Sequence, residues 1–246
     1  IGKSSVKTTH DDKAGVATGV VQAFQNCLRE NGIDPKDVIF VAHSTTQATN
    51  ALIEGDVANV GVIGVGPKGV GGWIAKAQTN MKDINLGSGR FIRLKNRFIC
   101  DENLSDQLVT DTIKSLVGDG AQVIVASESY GVDDMENETG ICKIAKDMGL
   151  EATAASEITK LYGLTRRTRT AAINASILPK MLNTANSTEQ SVKSAGVEVP
   201  LMIMRGDGGV MEISEMKKRP VLTMLSGPAA SVMGSLMYLR ASNGVY

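Results

Sequence analysis

The sequence predicts an α/β fold built on a mostly parallel sheet flanked by helices, and three observations carry that expectation. Short apolar runs recur at 37–42 (DVIFVA), 57–65 (VANVGVIGV), 122–126 (QVIVA) and 200–204 (PLMIM). Runs of this length without polar alternation suit strands buried on both faces. Segments with apolar residues at helical spacing separate them, and glycine-, asparagine- or aspartate-containing joints lie between the two kinds. Strands alternating with helices imply parallel pairing through crossover connections.

Taken in order, Asp11-Asp12-Lys13 opens a helix with acids where the N-terminal dipole favours them. Val16, Val20, Phe24, Cys27 and Leu28 continue it to a stop at Asn31-Gly32. The 37–42 strand follows, then a short helix from Thr45 to Glu54 ending near Gly55, then the 57–65 strand. Gly66-Pro67-Lys68-Gly69-Val70-Gly71-Gly72 reads as a flexible loop, since it matches neither GxxxxGK[ST] nor GxGxxG. Arg90–Cys100 alternates polar and apolar residues, as a half-exposed strand does. Ser105 caps a helix to Leu116, and Gly118-Asp119-Gly120 ends it. After the 122–126 strand come a helix over 136–148, a short strand at 151–154, and a long helix over 171–195 interrupted or kinked near Pro179. The 200–204 strand and a helix over 226–239 complete the pattern. A subdomain boundary is expected between residues 66 and 90, where composition shifts.

Composition excludes several classes of partner. Twenty-six basic residues balance 26 acidic ones, so no net field favours nucleic acid or an anionic membrane. Aromatic residues are only 4%, too few for base-stacking platforms. Cys27, Cys100 and Cys142 form no CxxC or Cys/His cluster, which gives a metal no support and suits free thiols in a reducing cytoplasm. No apolar run approaches the roughly 20 residues a membrane span needs.

Three segments could carry chemistry. The first, Val41-Ala42-His43-Ser44-Thr45-Thr46-Gln47-Ala48-Thr49-Asn50, follows a strand, where ligands of parallel sheets gather. It is dense in hydroxyl and amide groups, and reads equally as a capped strand-to-helix turn. The second, Met204-Arg205-Gly206-Asp207-Gly208-Gly209, lets backbone approach a ligand, or is a tight turn in which Asp207 closes on its own backbone. The third, Ser226-Gly227-Pro228-Ala229-Ala230-Ser231, begins a helix with a cap and a small-residue face. His10 and the run Arg166-Arg167-Thr168-Arg169 read as solvated, and Lys217-Lys218-Arg219 as an exposed helix end.

In order, HSTTQATNALIE, YGLTRRTRTAAINASILPKM, LMIMRGDGG and RPVLTMLSGPAASVMGS resemble the hydantoinase/oxoprolinase family over nearly the whole chain. Members carry HGTT-ATNALLE, a tyrosine-containing segment leading into T-NA-L-P, an M-S-GG turn and P---SGPAAG. The resemblance implies a partial ribonuclease-H-like architecture of the actin/Hsp70 (ASKHA) type. It assigns 1–75 to an N-terminal lobe and 76–246 to the start of a hydantoinase A-type catalytic domain. The two phosphate-binding loops of that architecture are expected before Ile1 and after Tyr246. ATP and Mg2+ are then expected in a complete parent protein, with none bound to this chain and no activity of the chain alone. The implied chemistry is ATP-dependent opening of a cyclic amide such as a hydantoin or 5-oxoproline. Alternatives are a subunit of an ATP-dependent ketone carboxylase and a non-catalytic ATPase or scaffold module. A second, hydantoinase B-type subunit is a further partner the resemblance allows. Matching positions give His43, Thr46 and Asp207 as catalytic candidates. Thr45, Thr49, Asn50, Gly208, Gly209, Ser226, Gly227 and Pro228 are the nucleotide-binding candidates, the last three at a hinge between lobes. Ser44, Gly206 and Ser231 depart from the family's glycine, serine and glycine, and Asn137-Glu138 stands where many members have His-Glu.

Overall fold

Val60–Gly66 (VGVIGVG) is buried at every position and forms β2, the strand around which the best-packed part of the molecule is built. The computed structural model describes residues 2–7 and 16–239. The chain divides into two compact units, a continuous one over 50–179 and a split one drawn from 1–49 and 180–246. The window 66–90, where a boundary was expected, lies inside the continuous unit.

In the continuous unit β2 pairs in parallel with β5 (Leu94–Cys100) on one side and β6 (Val123–Glu128) on the other, and β6 pairs in parallel with β7 (Glu151–Ala154). The spatial order is β5-β2-β6-β7. Helices α3 (Gly69–Thr79), α4 (Asp106–Gly118) and α5 (Glu136–Asp147) connect these strands. Ile63, Val65, Ile99, Ile124 and Ala126 pack with Val109, Ile113 and Leu116 of α4 and Ile141 and Ala145 of α5 in one apolar cluster. On the opposite face, glycines bring α3 close to β2: a Cβ at Gly64 would lie 2.2 Å from Thr79 Oγ1, and one at Gly66 2.8 Å from Ala75 Cβ. Gly64 and Gly66 thus let α3 lie close on one face of β2, while Ile63 and Val65, with Gly61 beside them, turn to the thicker apolar layer on the other.

The glycine-rich segment 66–72 is corrected from a flexible loop to a strand end running directly into α3. A Cβ at Gly72 would fall 1.8 Å from the Pro67 carbonyl oxygen, so the glycine serves tight strand-to-helix packing. Arg90–Cys100 is corrected from one strand to two. β4 (Arg90–Ile92) pairs antiparallel with β3 (Ile84–Gly87), and β5 joins the parallel sheet. Gly87, Ser88 and Gly89 all have positive φ, which closes that hairpin. Ser105 caps α4 as expected, its hydroxyl accepting from Leu108 N–H at 3.3 Å.

In the split unit α1 (Val16–Glu30) ends at Gly32 with φ +64°. The helix start expected at 11–13, like His10, falls outside the described residues. The 37–42 buried strand is corrected. Asp34 accepts from Lys36 N–H at 2.9 Å and Pro35–Asp37 make a 3-10 turn. Ile39 and Phe40 are then 90% and 56% exposed, and only β1 (Val41–His43) pairs. Strand-forming residues do not make a strand where a capped turn competes and no neighbour packs on them. β1 lies parallel to β8 (Leu201–Met204), and β9 (Val210–Glu212) returns antiparallel on β8. Helices α8 (Ile213–Lys218) and α9 (Ser226–Leu239) follow. α2 (Gln47–Glu54), the short α6 (Ala155–Ile158) and α7 (Leu164–Ser194) complete the set, α2 and α7 each containing a boundary between units. Helix α7 contains Pro179 without interruption and begins seven residues before the expected start at 171.

Candidate functional site

Because β1 and β8 are neighbours and parallel, their carboxyl ends deliver His43 and Arg205 to one edge of the split unit's sheet. The N-terminus of α9 joins them there. Ser226, 1% exposed, donates from Oγ to the Thr45 carbonyl at 3.0 Å and stands 3.4 Å from Ser44 Oγ. Leu225 N–H donates to Thr49 Oγ1 at 3.1 Å, held by a φ of +59° that a leucine rarely adopts. A Cβ on Gly227 would lie 3.6 Å from the Thr46 methyl. Thr45 Oγ1 accepts from Gln47 N–H at 3.2 Å, which starts α2. Two of the three polar segments therefore meet as a shelf, and the capping reading and the site reading of 43–50 describe the same geometry. Ser44 and Thr46 are exposed on it, and Asn50, the first residue of the continuous unit, is exposed within α2.

The glycine turn belongs to the same edge. Gly206 N–H donates to Leu222 O at 2.8 Å, and a Cβ there would sit 2.0 Å from Met224 O. Glycine in place of the family's serine is therefore what this turn's packing requires. Gly208 has φ +87°, with Met233 of α9 2.8 Å from where a Cβ would be. Asp207 Oδ1 accepts from Gly209 N–H at 3.0 Å, and its other oxygen pairs with Arg205 at 2.5 Å. The Gly209 bond and then the Arg205 charge hold the Asp207 carboxyl below its ordinary range. Burial lowers His43, so its imidazole is neutral at pH 7. Gln47 Oε1 and Arg205 Nε are buried without a hydrogen-bond partner. Pro228 is exposed in the first turn of α9.

A second polar cluster, not foreseen from the sequence, lies inside the continuous unit. Glu138, fully buried, accepts from Glu128 N–H at 2.8 Å, Ser156 N–H at 2.7 Å and Ser156 Oγ at 3.0 Å. Arg167, read above as part of a solvated turn, is fully buried and donates to the Leu161 carbonyl at 2.8 Å and to the Glu128 carbonyl. Asn137, the residue in place of histidine, donates to Glu128 Oε1 at 2.8 Å. Burial raises both the Glu128 and Glu138 carboxyls. The signal in the sequence was the helical register: Arg167 shares a face of α7 with Ala171, Asn174 and Leu178, all buried. Cys27, Cys100 and Cys142 are free, and burial pushes the Cys142 thiol up to about 12. Among the described residues no group of His, Cys, Asp and Glu could hold a metal ion, and no helix is long and apolar enough to cross a membrane.

The parallel α/β fold carries its hydroxyl-rich shelf at strand ends, the place where open α/β sheets bind ligands. The chain belongs to the hydantoinase/oxoprolinase family: residues 2–149 match the hydantoinase/oxoprolinase N-terminal region and 167–245 match hydantoinase/oxoprolinase. An uncharacterized protein of Methanocaldococcus jannaschii is 26% identical over 124 residues, covering 50% of this chain and 18% of that protein. Two solved structures share the fold. A nucleotide-free acetone carboxylase superposes with TM-score 0.69 at 16% identity, over 93% of this chain and 36% of that one. The ATP-dependent caprolactamase of Pseudomonas jessenii gives 0.67 at 18%, over 96% and 36%. The chain thus spans little more than a third of either solved relative.

Proposed function

We propose that this chain is part of an ATP-dependent enzyme that opens cyclic amides, and that the shelf of the split unit handles nucleotide and substrate. The observation that carries the reading is the meeting of three of the family's motif blocks, at 43–50, 205–209 and 225–228, on one edge of one small sheet. Similarity to a caprolactamase described as ATP-dependent supports the substrate class and the nucleotide. We place the parent protein in the actin/Hsp70-type architecture, on the motif order and the parallel fold. ATP supplies phosphoryl activation of a carbonyl oxygen, which makes a stable amide carbon electrophilic. In this reading neutral His43 accepts a proton, or donates its one N–H as a hydrogen bond to a phosphoryl oxygen, at the edge of the shelf. Thr46 and Ser44 offer exposed hydroxyls to polar ligand atoms. Thr45, Thr49 and Ser226 hold the two segments together, and Gly227 and Pro228 let α9 approach them. Asp207, tied to Arg205 and Gly209, keeps the glycine turn in shape and Gly208 and Gly209 open to a ligand. Among the described residues the shelf has no paired carboxylates to hold Mg2+, and no step is assigned to a metal here.

A second reading, a subunit of an ATP-dependent ketone carboxylase, is favoured by the similarity to acetone carboxylase. The test is calorimetric titration of Mg-ATP into this chain and into the protein extended at both ends to its relatives' length. Binding by the longer form alone is expected, followed by turnover of caprolactam, hydantoin or 5-oxoproline in preference to acetone with bicarbonate. Tight binding by this chain alone would overturn the expectation that the phosphates sit mainly on loops outside it. Turnover of acetone only would move the assignment to the second reading.

A further inference from the structure

The continuous unit has a cleft of about 300 Å³ that the shelf does not use. Its position follows from the topology. From β2 the chain passes through α3 to β5 on one side, and from β6 it passes through α5 to β7 on the other. Neighbouring parallel strands whose connections leave in opposite directions part at their carboxyl ends, and open α/β sheets bind ligands in the crevice that results. The cleft lies there. Pro67 follows the end of β2, and Ser129 and Tyr130 follow the end of β6; Ile74 and Gln78 of α3 and Tyr162 before α7 close its sides.

We infer that this crevice is a binding site for a small uncharged ring-bearing molecule, separate from the shelf. Pro67, Ile74 and the rings of Tyr130 and Tyr162 give flat apolar walls, while Ser129 and Gln78 supply a hydroxyl and an amide for one or two polar ligand atoms. No lysine, arginine or histidine lines the cleft, and Asp133 stands at its lip, accepting from Tyr162 Oη at 2.6 Å. An anion would meet that carboxylate with no side-chain cation to offset it. The volume suits about ten non-hydrogen atoms, taking roughly 30 Å³ for each atom-sized share of liquid. Tyr130 holds φ +63°, a conformation strained for a residue with a side chain, and such positions cluster at ligand clamps. Tyr130 is 73% exposed, so burial of the residue is not what maintains the strain.

The test uses benzamide and benzoate, one ring with and without charge, titrated into the full chain and followed by backbone amide NMR at pH 7. Benzamide is expected to shift the Gly71, Ser129 and Tyr130 amides in a saturable way, with benzoate at least about tenfold weaker, the ratio that 1.4 kcal/mol gives. Tyr162→Ala should weaken benzamide by about three- to tenfold, as loss of an aromatic contact of about 0.5–1.5 kcal/mol does. Ile74→Trp, at a half-exposed position, should fill the cleft and abolish the shifts while the β2 amides keep their positions. Benzamide shifts that survive Ile74→Trp, or that lie elsewhere, would overturn the site. Equal or tighter benzoate binding would overturn the ligand class and point to an anion held at the N-terminus of α3.

Discussion

The two units solve the same packing problem with different margins. In the continuous unit, β2 and β6 are buried along their whole lengths, with helices on both faces. In the split unit the strands are three or four residues long, and β1 is flanked by exposed Ile39 and Phe40. The shelf is therefore held less by a deep core than by side chain to backbone bonds, Ser226 to Thr45 and Leu225 to Thr49 among them. The lesson is a division of labour. A unit with a thick core can bury an internal charge network such as Glu138–Arg167. A thin sheet is kept in register by polar residues at its strand ends, Thr45, Thr49 and Ser226.

The sharpest way to break this comparison is Glu138→Ala. It removes an acceptor from two buried backbone N–H groups, each costing about 1–3 kcal/mol when unsatisfied, and takes away the buried carboxylate that interacts most strongly with the Arg167 charge. A loss of roughly 3 kcal/mol or more is expected in urea denaturation. Hydrogen exchange should rise in β6 and α5 while β8 keeps its protection. Equal loosening of β8 would mean that the units do not open separately.

Gly206→Ser tests the thin sheet in turn. It restores the residue the family usually carries, yet places a Cβ 2.0 Å from Met224 O, so the turn or the start of α9 must shift. Such overpacking costs about 1–3 kcal/mol. Faster exchange of the Gly206 and Leu225 amides should accompany it. A variant as stable as the parent would show that the turn relaxes freely, and that glycine here reflects something other than packing.

How much of this was legible depends on which residues carried the signal. The strands at 60–66, 123–128 and 201–204 were readable because an uninterrupted apolar run has few other uses. So was the cap at Ser105, whose bond is local. The 37–42 run misled because Asp34 and Pro35 commit the chain to a turn before Ile39 and Phe40 can pair. The glycines of 66–72 read as looseness, whereas Gly66 and Gly72 are tight contacts, with Ala75 of α3 and with the Pro67 carbonyl, that show only once the strand is folded directly into α3. The shelf's members stood in the right order in the sequence. Their meeting depends on the parallel pairing of β1 with β8, 160 positions apart at Val41 and Leu201, which no local pattern encodes. Arg167 was hidden by its neighbours: Arg166 and Arg169 are exposed, and a basic run conceals the one arginine that points inward.

The smallest expected effect concerns protons. Glu128, 9% exposed, has its carboxyl raised above the ordinary 4.5, by burial first and then by Glu138, Asp101 and Asp134, against the lowering bond from Asn137. A carboxyl raised on folding binds protons more tightly in the native state than in the unfolded chain. Its contribution to stability is therefore fully present in acid and is lost as pH rises from about 4.5 through the raised native value. Glu128→Gln keeps an acceptor for Asn137 and removes the titration. The parent should then lose stability relative to this variant as pH rises across that window, measured as the difference between their urea midpoints from pH 4 to 8. Asp83, Glu189 and Asp207 are shifted the opposite way, but they are present in both proteins and cancel in the difference. A flat difference would mean that water reaches Glu128 well enough to keep it ionised. The polar cluster of the continuous unit would then be open at the β6 end, and the contrast with the shelf would narrow to the depth of the apolar core alone.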